Sequence, residues 1–116
     1  MATSYNLNIT QGSEFYVRFQ AKDADGDPIN LSGYSMSGVV KRRYSDTGII
    51  VSLAPSGVTP TGITGGFFDV KLLASQTSGL PIIRGVYDIE YSQDNFADKL
   101  VKGDVFIYPE TTTNVS

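Results

Sequence analysis

The chain contains no cysteine, no histidine and no tryptophan. Without cysteine there is no disulfide, no thiolate nucleophile and no zinc–thiolate site. Without histidine the chain lacks the side chain that most often serves as general base, and one of the commonest metal ligands. Exported domains of this size often carry a disulfide staple, so a cysteine-free chain points to assembly in a reducing cytoplasm. Positive charge is scarce as well. Nine Lys and Arg against twelve Asp and Glu leave a net charge of −3, and phosphate binding needs a concentrated basic patch, so no nucleic-acid partner is expected. No apolar run approaches the roughly 18–20 residues that cross a bilayer as a helix. Met1-Ala2-Thr3-Ser4-Tyr5 lacks the basic-then-apolar layout of a signal peptide. No membrane partner is expected.

The 116 residues are 41% hydrophobic, with 12 Gly, 5 Pro, 7 Tyr and 6 Phe. That length and composition suit one ordered, turn-rich domain, 1–116, ending in a polar tail at 111–116. The dominant pattern is alternation. Tyr5, Leu7 and Ile9 alternate with polar residues, and Phe15, Val17, Phe19 and Ala21 alternate with Tyr16, Arg18, Gln20 and Lys22. Tyr34, Met36, Gly38, Val40 and Arg42 share one face of a third strand, and a short apolar strand covers Ile49 to Leu53. Phe68, Val70 and Leu72 are expected inside, with Phe67, Asp69, Lys71 and Leu73 outside. Tyr87, Ile89 and Tyr91 alternate with Asp88 and Glu90; Val101, Gly103, Val105 and Ile107 face away from Leu100, Lys102, Asp104, Phe106 and Tyr108. Residues 54–66, rich in Pro, Thr, Ser and Gly, read as a loop, with a brief pairing around Val58-Thr59 as the alternative. About seven short strands separated by Gly and Pro turns argue for an all-β sandwich or barrel.

The stretch 67–91 selects between them. A strand, a one-turn helical corner around Ala74 to Leu80 and a Gly-x-Tyr entry into the next strand reproduce the E–F corner of immunoglobulin-like sandwiches. The expected fold is thus an Ig-like antiparallel β-sandwich with one short helical corner. Gly85 and Tyr87 form that corner, and the Tyr87 hydroxyl ties back to the corner's own backbone.

Four stretches invite chemistry. Asp23-Ala24-Asp25-Gly26-Asp27-Pro28 resembles the front of a calcium loop, but an EF-hand needs Gly at position six and Glu at twelve. Counting from Asp23, Pro28 and Tyr34 stand there, so a polar turn is expected and no metal site. Lys41-Arg42-Arg43 reads as a solvated strand edge. Gly65-Gly66 has no phosphate-loop sequence after it and reads as a tight strand entry. Asp88 and Glu90 share a wet strand face, which alternation alone produces, so no catalytic pair, cofactor or enzyme activity is expected.

Several segments in order resemble a family of small virion proteins of tailed bacteriophages. A "Y-x-L-x-I-x-Q-G" opening is matched by Tyr5, Leu7, Ile9, Gln11 and Gly12. A "D-x-D-G-x-P-I-x-L-(S/T)-G-Y" turn is matched by Asp23, Asp25, Gly26, Pro28, Ile29, Leu31, Ser32, Gly33 and Tyr34. The corner pattern is matched by Leu73-Ala74-Ser75-Gln76-Thr77, by Leu80-Pro81, and by Gly85, Tyr87, Asp88, Ile89 and Glu90, with Ile82-Ile83 as a departure. The closing strand is matched by Leu100, Gly103, Val105, Ile107, Pro109, Glu110 and Thr112. More loosely, the chain is similar to the anchoring domain at the start of some phage baseplate and receptor-binding proteins.

The resemblance implies a non-enzymatic virion structural protein, assembled in the host cytoplasm. It would be a tail, baseplate or fibre-adaptor component docking on other virion proteins in many copies of a symmetric assembly. Head decoration by capsid binding and a carbohydrate-binding adhesion module are the alternatives, the latter weakened by the lack of Trp. The candidate contacts are the aromatics off the core face, Tyr16, Tyr44, Phe67, Phe106 and Tyr108, with the 54–66 loop and the tail. The competing reading is that these aromatics cover a second sheet or stand singly on the surface.

Overall fold

In the computed structural model, which describes residues 3–53, 55–57 and 60–109, alternation becomes two facing sheets. The strands are β1 (Thr3–Ser4), β2 (Leu7–Thr10), β3 (Phe15–Gln20), β4 (Ser35–Lys41), β5 (Val51–Leu53), β6 (Ser56–Gly57), β7 (Phe67–Leu72), β8 (Arg84–Gln93) and β9 (Phe96–Tyr108). Helix α1 (Pro60–Thr64) lies between β6 and β7, and α2 (Ala74–Thr77) between β7 and β8. One sheet runs β9-β8-β4-β5, with both β1 and β2 against the free side of β9; the other runs β3-β7-β6. β3, β7 and β6 stand where strands B, E and D of an immunoglobulin-type sandwich stand, and β4, β8 and β9 where C, F and G do. The all-β sandwich expected from the sequence is the fold, with seven strands of three residues or more and two of two residues among the described residues.

Three expectations need correcting. The sheets are not purely antiparallel, because β1 and β2 run parallel to β9. The 54–66 region is not simply a loop. It carries β6 and α1, held where the Leu31 N–H donates to the Ile63 carbonyl at 3.0 Å and Leu31 is wholly buried. Ala54, Val58 and Thr59 lie outside the described residues, as does the tail 111–116. Finally, the β8–β9 hairpin is not in simple alternation. Ile89 faces Val101 but Glu90 faces Lys99, so Leu100 is an extra residue in a bulge. Leu100 and Val101 are therefore both buried, and Leu100 does not face out.

The core is what the alternation places inside. Leu7, Ile9, Val40, Leu53, Phe68, Val70, Leu72, Tyr87, Ile89 and Val105 are each at most 1% exposed. β8 and β9 turn about Asp94, whose φ of 53° is left-handed, a conformation Asp tolerates in turns. Gly66, with φ of 87°, makes the entry to β7 where an added Cβ would press on the Ala21 carbonyl.

The corner helix α2 sits as expected, but the Tyr87 hydroxyl does not return to it. It donates to the Tyr5 carbonyl at 2.5 Å, across 82 residues of sequence. The corner is secured by other residues: Thr77 Oγ1 donates to the Ser13 carbonyl at 2.8 Å, and Gln11 Nε2 donates to the Leu80 carbonyl at 2.6 Å. Because the first strand runs beside β9 rather than β3, its Tyr5 carbonyl lies within reach of Tyr87, and the usual corner bond is replaced.

Candidate interaction surface

The outer face of the larger sheet is built by the residues that alternation turns away from the core. Along β8 these are Arg84, Val86, Asp88 and Glu90. They face Phe106, Asp104, Lys102 and Lys99 on β9, and β4 adds Lys41, Val39 and Ser37 in register with Val86, Asp88 and Glu90. The bulge that buries Leu100 swings Lys99 onto this face. Lys99 Nζ lies 3.2 Å from Glu90 Oε2 and 3.4 Å from Asp88 Oδ2. Burial works against the Lys99 charge, but the Glu90 hydrogen bond and the Asp88 carboxylate outweigh it and raise its pKa. Arg84 is tied to Asp104 at 2.8 Å, and its guanidinium carbon lies 5.5 Å from the centre of the Phe106 ring.

Two tyrosines frame this face. Tyr44, 52% exposed, reaches back to donate its hydroxyl to the Tyr87 carbonyl at 3.1 Å. Partial burial and then the nearby Asp88 charge push its phenol pKa up. Tyr108, 48% exposed, approaches Asn8 Oδ1 at 3.4 Å across the β2–β9 pair.

The outer face of the smaller sheet is separate. Arg18 forks onto Asp69, Nε to Oδ1 at 2.8 Å and Nη2 to Oδ2 at 3.2 Å, and the Tyr16 hydroxyl joins Oδ1 at 3.2 Å. The Arg18 bond holds the Asp69 carboxyl below its usual range. Glu14 pairs with Lys71 at 3.2 Å, and Gln20 stands opposite Phe67.

The five aromatics expected to make contacts therefore do not form one patch. Tyr44, Phe106 and Tyr108 lie on the outer face of the larger sheet, and Tyr16 and Phe67 on that of the smaller. Phe67 and Phe106 are only partly exposed. Asp104 stands on the outer face with Phe106, as alternation along the last strand expects, whereas Arg84 and Lys99 escaped the sequence reading as surface residues. Of these, Arg84 carries the same alternation signal as Asp88 and Glu90, and the placing of Lys99 depends on the bulge.

The acidic turn is folded around Asp23, whose Oδ1 accepts the Asp25 and Asp27 N–H groups at 2.9 and 3.0 Å, with Gly26 at φ 86°. This is the polar turn expected. It brings the carboxylates of Asp23, Asp25 and Asp27 within 4.8 Å of one another, all exposed. They are the residues that could hold a cation, and the turn geometry alone accounts for their closeness.

No protein-family model matches the chain, and no curated protein does. Among solved structures, the chain is similar to part of a family 123 glycoside hydrolase from Clostridium perfringens, studied for glycolipid glycan hydrolysis. The TM-score is 0.40 at 8% identity, over 94% of this chain and 23% of that one. The chain thus spans about a quarter of that neighbour's length, and a likeness of this degree carries no argument about activity.

Proposed function

We propose that this chain is a non-enzymatic structural protein of a tailed-bacteriophage virion. It docks on other virion proteins at the tail or baseplate, or as a fibre adaptor, in repeated copies. The observation that carries this reading is the outer face of the larger sheet. Phe106 beneath Arg84, with Tyr44 and Tyr108 on the same face, offers aromatic and guanidinium groups of the kind enriched in protein interfaces. Five of its charged side chains are already held within the chain by the Arg84–Asp104 and Lys99–Asp88–Glu90 contacts. A partner thus meets a preorganised surface and loses less side-chain freedom on docking. Repetition in a symmetric assembly multiplies a modest contact.

The resemblance to phage virion proteins supports the same reading, since its matched residues act as architecture. Gln11 and Thr77 pin the corner, Leu31 fills the core, and Gly103 and Tyr87 receive the first strand. The test is gold-labelled antibody against this chain on purified particles of the virus that encodes it. Label at the tail end is expected, label over the head replaces the reading with capsid decoration, and no label on any particle refutes it. Phe106→Asp should lower incorporation severalfold without unfolding the domain, because the ring is outside the core.

A further inference from the structure

The four sheet edges are unequal. Among the described residues, β5 offers three paired residues and β6 two, and the β1–β2 edge is interrupted between Ser4 and Leu7. Short or broken edges resist pairing with another chain. β3 is different. Its six residues pair with β7 without a register shift, from Phe15↔Leu72 to Gln20↔Phe67. It contains no proline, and among the described residues no strand lies on its other side. An antiparallel strand turns alternate backbone groups away from its partner, so β3 presents a regular ladder of free donors and acceptors.

The side chains say the same. Phe15, Val17 and Phe19 point toward the interior and pack against the core yet stay partly exposed, while Leu72, Val70 and Phe68 opposite them on β7 are buried. Two clefts of about 150 and 90 Å³ follow this seam. The first lies between Tyr5–Asn8 and Phe15–Val17, and the second runs past Phe19 to Leu100 and Val101. The Tyr5 ring, edge-on to Phe19 at 5.4 Å, closes only one end.

We propose that β3 is a self-association edge: two copies of this chain pair β3 to β3, antiparallel, about a two-fold axis at Val17. The strand's own sequence selects both occupant and register. With side chains kept on their faces, 15–20 permits two-fold pairings of five residues centred on Val17 or on Arg18. The second sets Arg18 against Arg18. The first sets Phe15 against Phe19 and Val17 against Val17 on the inner face, and Tyr16 against Arg18 on the outer, with no like charges opposed. Asp69, which already gathers Tyr16 and Arg18, holds each guanidinium in place for the second copy's ring. The product is a continuous six-stranded sheet, β6-β7-β3 joined to its mate, with the two seams against each other. The inference goes beyond the virion reading and does not rest on it.

An edge contact of this size lies below the area of a standard stable interface, so a dissociation constant of about micromolar or weaker is expected. Sedimentation across a dilution series should show monomer passing to dimer. Tyr16→Lys, which opposes Arg18 twice per dimer, should weaken association roughly tenfold, and Tyr16→Glu should tighten it by a similar factor. Neither change touches the core, so both variants should fold. The chain has no cysteine, so a single Val17→Cys substitution should yield disulfide-linked dimer under mild oxidation, since directly opposed Cα atoms lie about 4.5–5.5 Å apart. Tyr16→Cys, two residues out of register with its mate, should not. A monomer throughout the series, tightening by Tyr16→Lys, or equal cross-linking at both positions would overturn the proposal.

Discussion

Removing one oxygen from Tyr87 should loosen the first strand while leaving the core packed. Tyr87 is 1% exposed and its hydroxyl donates to the Tyr5 carbonyl at 2.5 Å. In Tyr87→Phe the ring remains and the carbonyl loses that donor in a partly buried site. Such a loss costs about 1–3 kcal/mol. At about 1.5 kcal/mol, and about 2.1 cal/mol/K of unfolding entropy per residue over 116 residues, the melting temperature should fall roughly 6 °C. The loss should be local as well: in hydrogen exchange, β2 amides should gain more than those of β7. Alkali supplies a second reading. Burial raises the Tyr87 phenol pKa well above the ordinary value of 10.0. The unfolded chain therefore ionises this tyrosine first, and its contribution is intact below about pH 10 and lost as pH climbs past that point. The gap between wild type and Tyr87→Phe should thus narrow above pH 10, while Tyr91 and Tyr44, also raised, leave both proteins some alkaline sensitivity. Chemical denaturation at pH 7 and across the alkaline range measures all of this. A variant within about 0.3 kcal/mol of wild type at pH 7, with a gap indifferent to pH, would refute the assignment of stability to this bond.

Gly103→Ala should cost about 2–3 kcal/mol, because its Cβ would overlap the Tyr5 carbonyl, whereas Gly48→Ala, with nothing within 4 Å, should be near neutral. Combined with Tyr87→Phe it should be less than additive, since both act on the same carbonyl; strict additivity in a double-mutant cycle would contradict that geometry. In the acidic turn, Asp23→Ala removes the acceptor of two backbone N–H groups and should cost about 1 kcal/mol, while Asp25→Asn should stay within about 0.5 kcal/mol. Added calcium should leave the wild-type melt unmoved, and a rise abolished by Asp25→Asn would restore the cation reading.

The parts of the fold that were legible are those where one face is wet and the other dry. Phe68, Val70 and Leu72 alternate with Asp69 and Lys71, so a slip of one residue would bury charge, and only one register survives. β8 is fixed in the same way. The bulge is different: two adjacent apolar residues, Leu100 and Val101, were its only trace, and strict alternation sent Leu100 outward. Helix α1 had little trace at all. Pro60-Thr61-Gly62-Ile63-Thr64 contains poor helix formers, and the Leu31 bond to Ile63 holds it in place from outside the segment.

Alternation also says which side of a strand is out, but not which sheet the strand joins. This is why Tyr16 and Phe67 were grouped with Tyr44, Phe106 and Tyr108 although they stand on the opposite side of the molecule. The same gap explains Tyr87, which alternation turns into the core but whose hydroxyl meets the Tyr5 carbonyl instead of the corner backbone. Everything there turns on the first strand, whose Leu7 and Ile9 would bury equally well beside β3 or beside β9. Gly103 breaks the tie, because only a residue without Cβ lets the Tyr5 backbone come this close to β9. By lying beside β9 the strand gives Tyr87 its acceptor, and by the same placement it leaves β3 uncovered among the described residues.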